Sequence, residues 1–203
     1  MKTAALGFLA IMCTGVAGYA IYAYAVLEPG TTVAPEMKAT YEAHKVTILT
    51  HVFFAAVALL AGPFQFFPVI RKHPGIHRKV GYVYFSAVFI GGTASLGMAF
   101  IAYGGLVSTL GFGSLAVLWL FTAVKALLAV RQKSYAAHKI WAIRSFALTF
   151  SAVTLRVYLG IFFAMGFAFD SFYPALAWLC WVPNILFVEW ILLPRIEKLN
   201  SFA

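Results

Sequence analysis

Acidic side chains are scarce in this chain: six Asp and Glu stand against fifteen Lys and Arg in 203 residues, and charged residues of both signs make up only 10%. An average soluble domain carries about 25%, so there is too little charge to clothe a water-facing surface. Cysteine is nearly missing too. Cys13 and Cys180 stand alone in apolar runs, which argues against a disulfide framework or a cysteine metal pair and leaves two small hydrophobes. HExxH, CxxC, a Walker loop, a nucleotide-binding glycine pattern and a nucleophile elbow are absent, and no polar stretch is long enough for a soluble catalytic domain. The chain is not read as an enzyme in its own right.

What is present is grease: 63% hydrophobic residues and a mean hydropathy of +0.91. At roughly 20 residues per bilayer crossing, the apolar runs predict six helices, over 4–27, 45–70, 79–103, 106–130, 140–165 and 174–193. The expected fold is an all-α polytopic membrane bundle, with residues 1–203 forming a single integral membrane domain. On that map Lys2, Arg71, Lys72, Arg78, Lys79, Arg131, Lys133, Lys139, Arg195 and Lys198 share one side, whereas Glu28, Glu36, Glu42 and Asp170 face the other with only Lys38 and Lys45. The positive-inside rule then places both termini in the cytoplasm and the chain in the inner (cytoplasmic) membrane. The net charge of +9 is a topology signal and a contact for anionic lipid headgroups, not a nucleic-acid footprint. The 17% aromatic residues fall in the spans and at their boundaries, where they anchor helices. The opening segment resembles a secretory signal, with Lys2 as its basic region and Ala23-Tyr24-Ala25 as a cleavage-like site. Its apolar run is too long for that role, and a retained first helix is expected.

Three helices carry polar stripes. In the fifth, His138, Ala142, Ser145, Thr149, Ala152 and Arg156 recur at steps of four and three, one face of a helix. A guanidinium in hydrocarbon is costly, so Arg156 is expected to point into the bundle. In the second, His44, His51, Ala55, Ala58, Gly62 and Gln65 share a face whose small residues allow close helix packing or a flat ligand, and Gly62-Pro63 should kink it. In the third, His77, Gly81, Tyr84, Val88, Gly91, Ser95 and Met98 do the same, with Gly91 and Ser95 as a small-xxx-small pair. His51 lies roughly two turns below the surface and needs a partner, Tyr103 or a polar group of the fifth helix. Lys125 is expected to snorkel, and Glu189 to pair with Lys125 or Arg144 at the basic end or to act as a relay carboxylate. The segment Thr40 to His44 leads into the second helix, and the loop before it is expected to form a small lid. His77 and His138 follow similar basic loops, which suggests that helices two-three and four-five are an internal repeat with both histidines on one side. The bland reading of His73, His77 and His138 is that they lie in those basic loops and meet lipid phosphate or end a helix.

The run GPFQFFPVIRKHPGIHRKVGYVY and the run AAHKIWAIRSFALTFSAVTLR resemble the bacterial membrane family called domain of unknown function 2306. Gly62 to Phe66, His77-Arg78, Gly81, Tyr84, Gly111-Phe112, Trp119, His138 to Trp141, Arg144 and Leu155-Arg156 carry the resemblance, over about half the chain from His51 to Tyr158. The family name implies a membrane location and assigns no activity. A weaker similarity is to membrane b-type cytochromes, which implies haem b held by histidines of neighbouring helices. For that, His77 and His138 are the metal-ligand candidates, with Arg78, Arg144 and Lys139 as cations for propionates. His44 and His51 share a helix about 10 Å apart and cannot sandwich one iron. Three functional readings follow. One is a redox subunit binding haem b or a quinone, the quinone near His51, Arg156 and Tyr158; the cofactor-binding candidates taken together are His51, Gln65, His77, His138, Arg144, Arg156 and Tyr158. Another is an assembly or interaction subunit of a respiratory membrane complex. The last is a carrier of a small solute, proton or metal ion along the stripes.

Overall fold

A computed structural model describes residues 3–28 and 30–200; Lys2, counted above with the basic end, lies outside them. Every regular element among the described residues is helical. Six segments are long and apolar enough to cross a bilayer: Ala4–Val26, Lys45–Phe66, Pro74–Ala99, Gly105–Arg131, Tyr135–Ala164 and Phe169–Ile196. Six crossings return the chain to the end at which it started, here called the termini end, and the opposite one is the far end.

Helix α1 (Thr3–Ile21) continues into a π-helical turn at Tyr22–Val26. The far-end loop then forms a 3₁₀ turn at Pro35–Met37 and a short helix α2 (Lys38–Ala43), which buries Tyr41. The second span is α3 (Lys45–Ala61), and the expected break at Gly62-Pro63 is present: the chain passes into a 3₁₀ turn, Pro63–Phe66, and a four-residue helix α4 (Pro68–Arg71). Proline has no N–H to donate and its ring crowds the preceding turn, so α-helix cannot run through. The third and fourth spans are the unbroken α5 (Pro74–Ala99) and α6 (Gly105–Arg131).

The fifth span divides at Phe150 into α7 (Tyr135–Thr149) and α8 (Ser151–Ala164). No proline is involved. Thr149 Oγ1 donates to the Ser145 carbonyl at 3.0 Å and Thr154 Oγ1 to that of Phe150 at 3.3 Å, back-bonds of the kind that bend helices. The sixth span is α9 (Phe169–Leu179), α10 (Val182–Phe187), a π-helical turn at Val188–Leu192 and α11 (Leu193–Asn200). Pro183 and Pro194 each remove one donor from this span, which accounts for two of its irregularities.

Three predicted helix starts are too late. The third, fifth and sixth spans begin at Pro74, Tyr135 and Phe169, five residues before the expected 79, 140 and 174. Hydropathy discounts first turns that carry basic or polar residues, yet Pro74 is favourable at the first helical position. His77 and His138 therefore sit in the first turns of their helices, in line with the stripes.

Small side chains let the spans approach. The central core joins Ala58, Ala61, Ala87, Ala123 and Ala126 with Tyr84, Phe85, Trp119, Leu148 and Trp181. A Cβ on Gly91 would stand 3.3 Å from Phe54 Cβ, so the small-residue face of α5 meets α3, as its spacing implied. Left-handed residues make the tight turns: Gly104 at φ 95° before α6, Lys133 at φ 59° after it and Gly166 at φ 78° after α8. The closest approach to backbone is at Gly111, where an added Cβ would lie 2.7 Å from Ala177 Cβ and 2.8 Å from its carbonyl oxygen. Gly111→Ala is expected to destabilise the bundle by about 1–3 kcal/mol, read as a lower melting temperature in detergent. Gly7→Ala, with no neighbour within 4 Å of its Cβ, should leave that temperature unchanged or raise it.

Candidate functional site

The stripes of the third and fifth spans meet through their side chains. Tyr84 on α5 meets Ser145 on α7, an offset of 61 residues, and the same offset relates His77 to His138, Gly81 to Ala142, Val88 to Thr149, Gly91 to Ala152 and Ser95 to Arg156. Odd-numbered spans run in one direction, so the contact of Tyr84 with Ser145 sets the register of α5 against α7 up to the break at Phe150. Residues spaced for one face of a helix thus become matched levels, running from His77 and His138 at the termini end to Val88 and Thr149.

The middle levels hold a buried hydrogen-bond cluster. Tyr84 Oη lies 2.9 Å from Ser145 Oγ and 2.8 Å from Thr149 Oγ1, and Trp119 Nε1 of α6 donates to Thr149 Oγ1 at 2.8 Å. Thr149 spends its only proton on the Ser145 carbonyl, so it accepts from both Trp119 and Tyr84. Tyr84 in turn accepts from Ser145. All four side chains are 5% exposed or less, and each is satisfied, as burial in hydrocarbon demands.

Above this cluster, at the far end, lies a cavity of about 260 Å³. Its walls are mostly Ala, Leu, Ile, Val and Met; its polar lining includes His51, Arg156, Thr149, Tyr24 and Tyr41, and Trp119 also lines it. Among its lining residues there is no Asp, Glu or Lys. Val33, Met37, Thr40 and Tyr41, from the far-end loop and α2, contribute to its lining.

His51 is tethered to α5. Its Nδ1 donates to the Gly91 carbonyl at 3.0 Å, which puts the proton on Nδ1 and leaves the Nε2 lone pair without a protein partner. The expected bonds to Tyr103 or to the fifth span are not made among the described residues; Tyr103 packs its ring against Phe169 and Tyr173. Gly91 explains the difference, since only a residue without a side chain lets α3 come near enough for the imidazole to reach that carbonyl. Arg156 points inward, as its cost in lipid required. One of its five N–H groups is used, by NH1 on the Ala152 carbonyl at 3.1 Å. The guanidinium lies within electrostatic reach of His51 and of the Tyr24 and Tyr19 phenols. Tyr41 brings a buried hydroxyl that has no hydrogen-bond partner among the described residues. Tyr158, grouped with His51 and Arg156 from the sequence, packs with Phe169, Phe172 and Leu176 and does not line the cavity. Two residues beyond Arg156, it is turned about 200° around the helix.

At the termini end the remaining candidates meet in part. His77 and His138 are within electrostatic reach of each other. His138 Nδ1 donates to the Ala126 carbonyl at 2.9 Å and its ring packs on Phe85. Gln65 lays its amide over Gly81, and both Gln65 Nε2 and His77 Nδ1 are buried without a partner. Arg144 is not available to a cofactor. Its Nε and NH2 bind the two Glu189 oxygens at 2.6 and 2.9 Å, and its guanidinium covers the Trp141 ring, over which Lys125 Nζ also sits at 5.5 Å. The wide π turn around Glu189 aims that carboxylate at Arg144. Among the described residues no three His, Cys, Asp or Glu side chains gather as a metal site.

The sequence reading missed the cluster as a unit, although Tyr84, Trp119, Ser145 and Thr149 were each singled out; only their spacing to one another was invisible. It also missed Tyr24 and Tyr41, which lie on helices without a polar stripe. Removing one partner of an ion pair in a low-dielectric site leaves the other uncompensated, whereas removing both does not. Arg144→Leu and Glu189→Leu are each expected to lower the melting temperature, and the double substitution to restore part of the loss.

No curated protein and no solved structure matches the chain. The family model described as Predicted membrane protein (DUF2306) matches residues 48–192, from the base of the second span to the π turn of the sixth, and the chain belongs to that family.

Proposed function

We propose that this protein binds the headgroup of a lipid-soluble quinone in the far-end cavity and handles its protons through His51. The observation that carries this reading is the pairing of an uncompensated guanidinium with a tethered imidazole in one apolar chamber. A quinone supplies two carbonyl oxygens that take up protons when the ring is reduced. Arg156 has free N–H donors to hold such an oxygen and to favour negative charge on it. His51 keeps Nδ1 on the Gly91 carbonyl, so Nε2 is the atom that takes up or returns a proton. The apolar walls lower the local dielectric and strengthen both interactions. At about 260 Å³ the chamber is at the small end of ligand pockets, suited to a single ring with its tail in lipid.

Haem b fits the residues less well. The space that a macrocycle needs beside Gly62 and Gly81 holds the Phe146 ring and the Gln65 amide, and Arg144 is bound to Glu189. No step is therefore assigned to it. The basic residues at the termini end support a cytoplasmic placement of that end, with the cavity toward the outer leaflet.

Trp119 lies in the cavity wall, so quinone binding is expected to quench tryptophan fluorescence. Titration of purified protein with decylubiquinone should give a saturable curve. Arg156→Leu should weaken binding by about tenfold or more, the loss of one charged hydrogen bond, and Tyr158→Phe should leave it unchanged. A linear, unsaturable signal, or equal affinity in Arg156→Leu, would overturn the reading.

A further inference from the structure

The matched levels of α5 and α7 extend the cavity's polar lining all the way to the termini end. Starting from the cavity, Thr149 stands in its wall and is bonded to Tyr84, which is bonded to Ser145. One level below Ser145 is the Gln65 amide over Gly81, and one level below that are His77 and His138. Levels three or four residues apart are about 4.5–6 Å apart along a helix, a gap that one water molecule spans with two hydrogen bonds. The protein atoms that such waters require are there: Gln65 Nε2 and His77 Nδ1 are buried and lack a protein partner. A buried polar atom left unmatched costs about 1–3 kcal/mol, so a column with two of them is better explained by water than by packing alone. Tyr84 is ten residues, about 15 Å, along α5 from Pro74. The hydroxyl cluster thus sits well inside the span, away from both of its ends.

We propose that this column conducts protons between the termini end and the far-end cavity, with Tyr84 as its central relay. The hydroxyls are already oriented in one sense: Ser145 donates to Tyr84, Tyr84 to Thr149. A proton delivered to Ser145 Oγ by water at the Gln65 level lets Ser145 pass its own proton to Tyr84 and Tyr84 pass its own to Thr149. Thr149 turns its hydroxyl from the Ser145 carbonyl into the cavity and releases its proton to water or to His51 Nε2. One proton enters, one leaves, and no electron moves. Rotation of the three hydroxyls resets the chain. This function goes beyond quinone binding and does not require it, because water in the cavity serves equally as acceptor.

The test is proton flux in liposomes reconstituted with the full chain, loaded with pyranine and driven by a valinomycin-clamped potassium gradient. Wild type is expected to exceed the leak of protein-free liposomes, and Tyr84→Phe, which keeps the ring and removes the hydroxyl, to lower the excess at least tenfold. Thr149→Val gives a second interruption should Tyr84→Phe fail to fold, and Tyr158→Phe, outside the column, should conduct like wild type. Wild-type flux no greater than the leak, or undiminished flux in a folded Tyr84→Phe or Thr149→Val variant, would overturn the proposal. Decylubiquinone affinity measured on the same samples separates the two readings: Arg156-dependent binding without flux removes the path alone, and flux without binding removes the quinone alone.

Discussion

A polar atom inside a bilayer has no water to fall back on, and the interior of this bundle is arranged around that constraint. Ser145, Thr149, Tyr84 and Trp119 come from three spans and close their hydrogen bonds on one another. Satisfying them fixes the depth of α5 against α7. Once that depth is set, the remaining matched positions follow, and with them the placing of Gly91 opposite His51 and of Arg156 at the cavity. The bend at Phe150 belongs to the same arrangement, since Thr149 serves both the cluster and the back-bond that ends α7.

Small residues do the complementary work. Gly62, Gly91, Gly92 and Gly111 each meet another span within 3.3 Å of where a Cβ would be, and the alanines of the central core let α3, α5 and α6 close up. Dispersion between well-fitted surfaces replaces the hydrophobic effect as the cohesive term inside lipid. Where this packing stops, at the far end, the loop and the first span contribute to the lining of a chamber that keeps a cation and an imidazole together. At the opposite end Arg144, Glu189, Trp141 and Lys125 form a charged clasp that anchors the sixth span beside the fifth. Charge is thus used in two ways: neutralised where the spans are fastened, and left available where the cavity opens.

Much of this was legible from spacing. The six spans, the kink at Gly62-Pro63, the inward Arg156, the contact face at Gly91 and the ion pair at Glu189 all follow from helical periodicity and from the high cost of charge in hydrocarbon. The late helix starts came from the same source of strength, because a hydropathy window rejects the basic first turns that hold His77 and His138. Tyr158 was grouped with Arg156 by nearness in sequence, and two residues of helix turned it away.

By itself, then, the amino-acid order determined that the chain spans a membrane as helices, and which face of each helix is hydrophilic, since both depend on interactions within one segment and its solvent. Only the tertiary structure decided that the stripes of α5 and α7 stand level, that His51 bonds the Gly91 carbonyl, that Arg144 closes on Glu189 and that Tyr24 and Tyr41 complete the chamber. These are contacts between segments, set by how closely small residues let neighbouring backbones approach, and no periodicity within one helix encodes the depth of another.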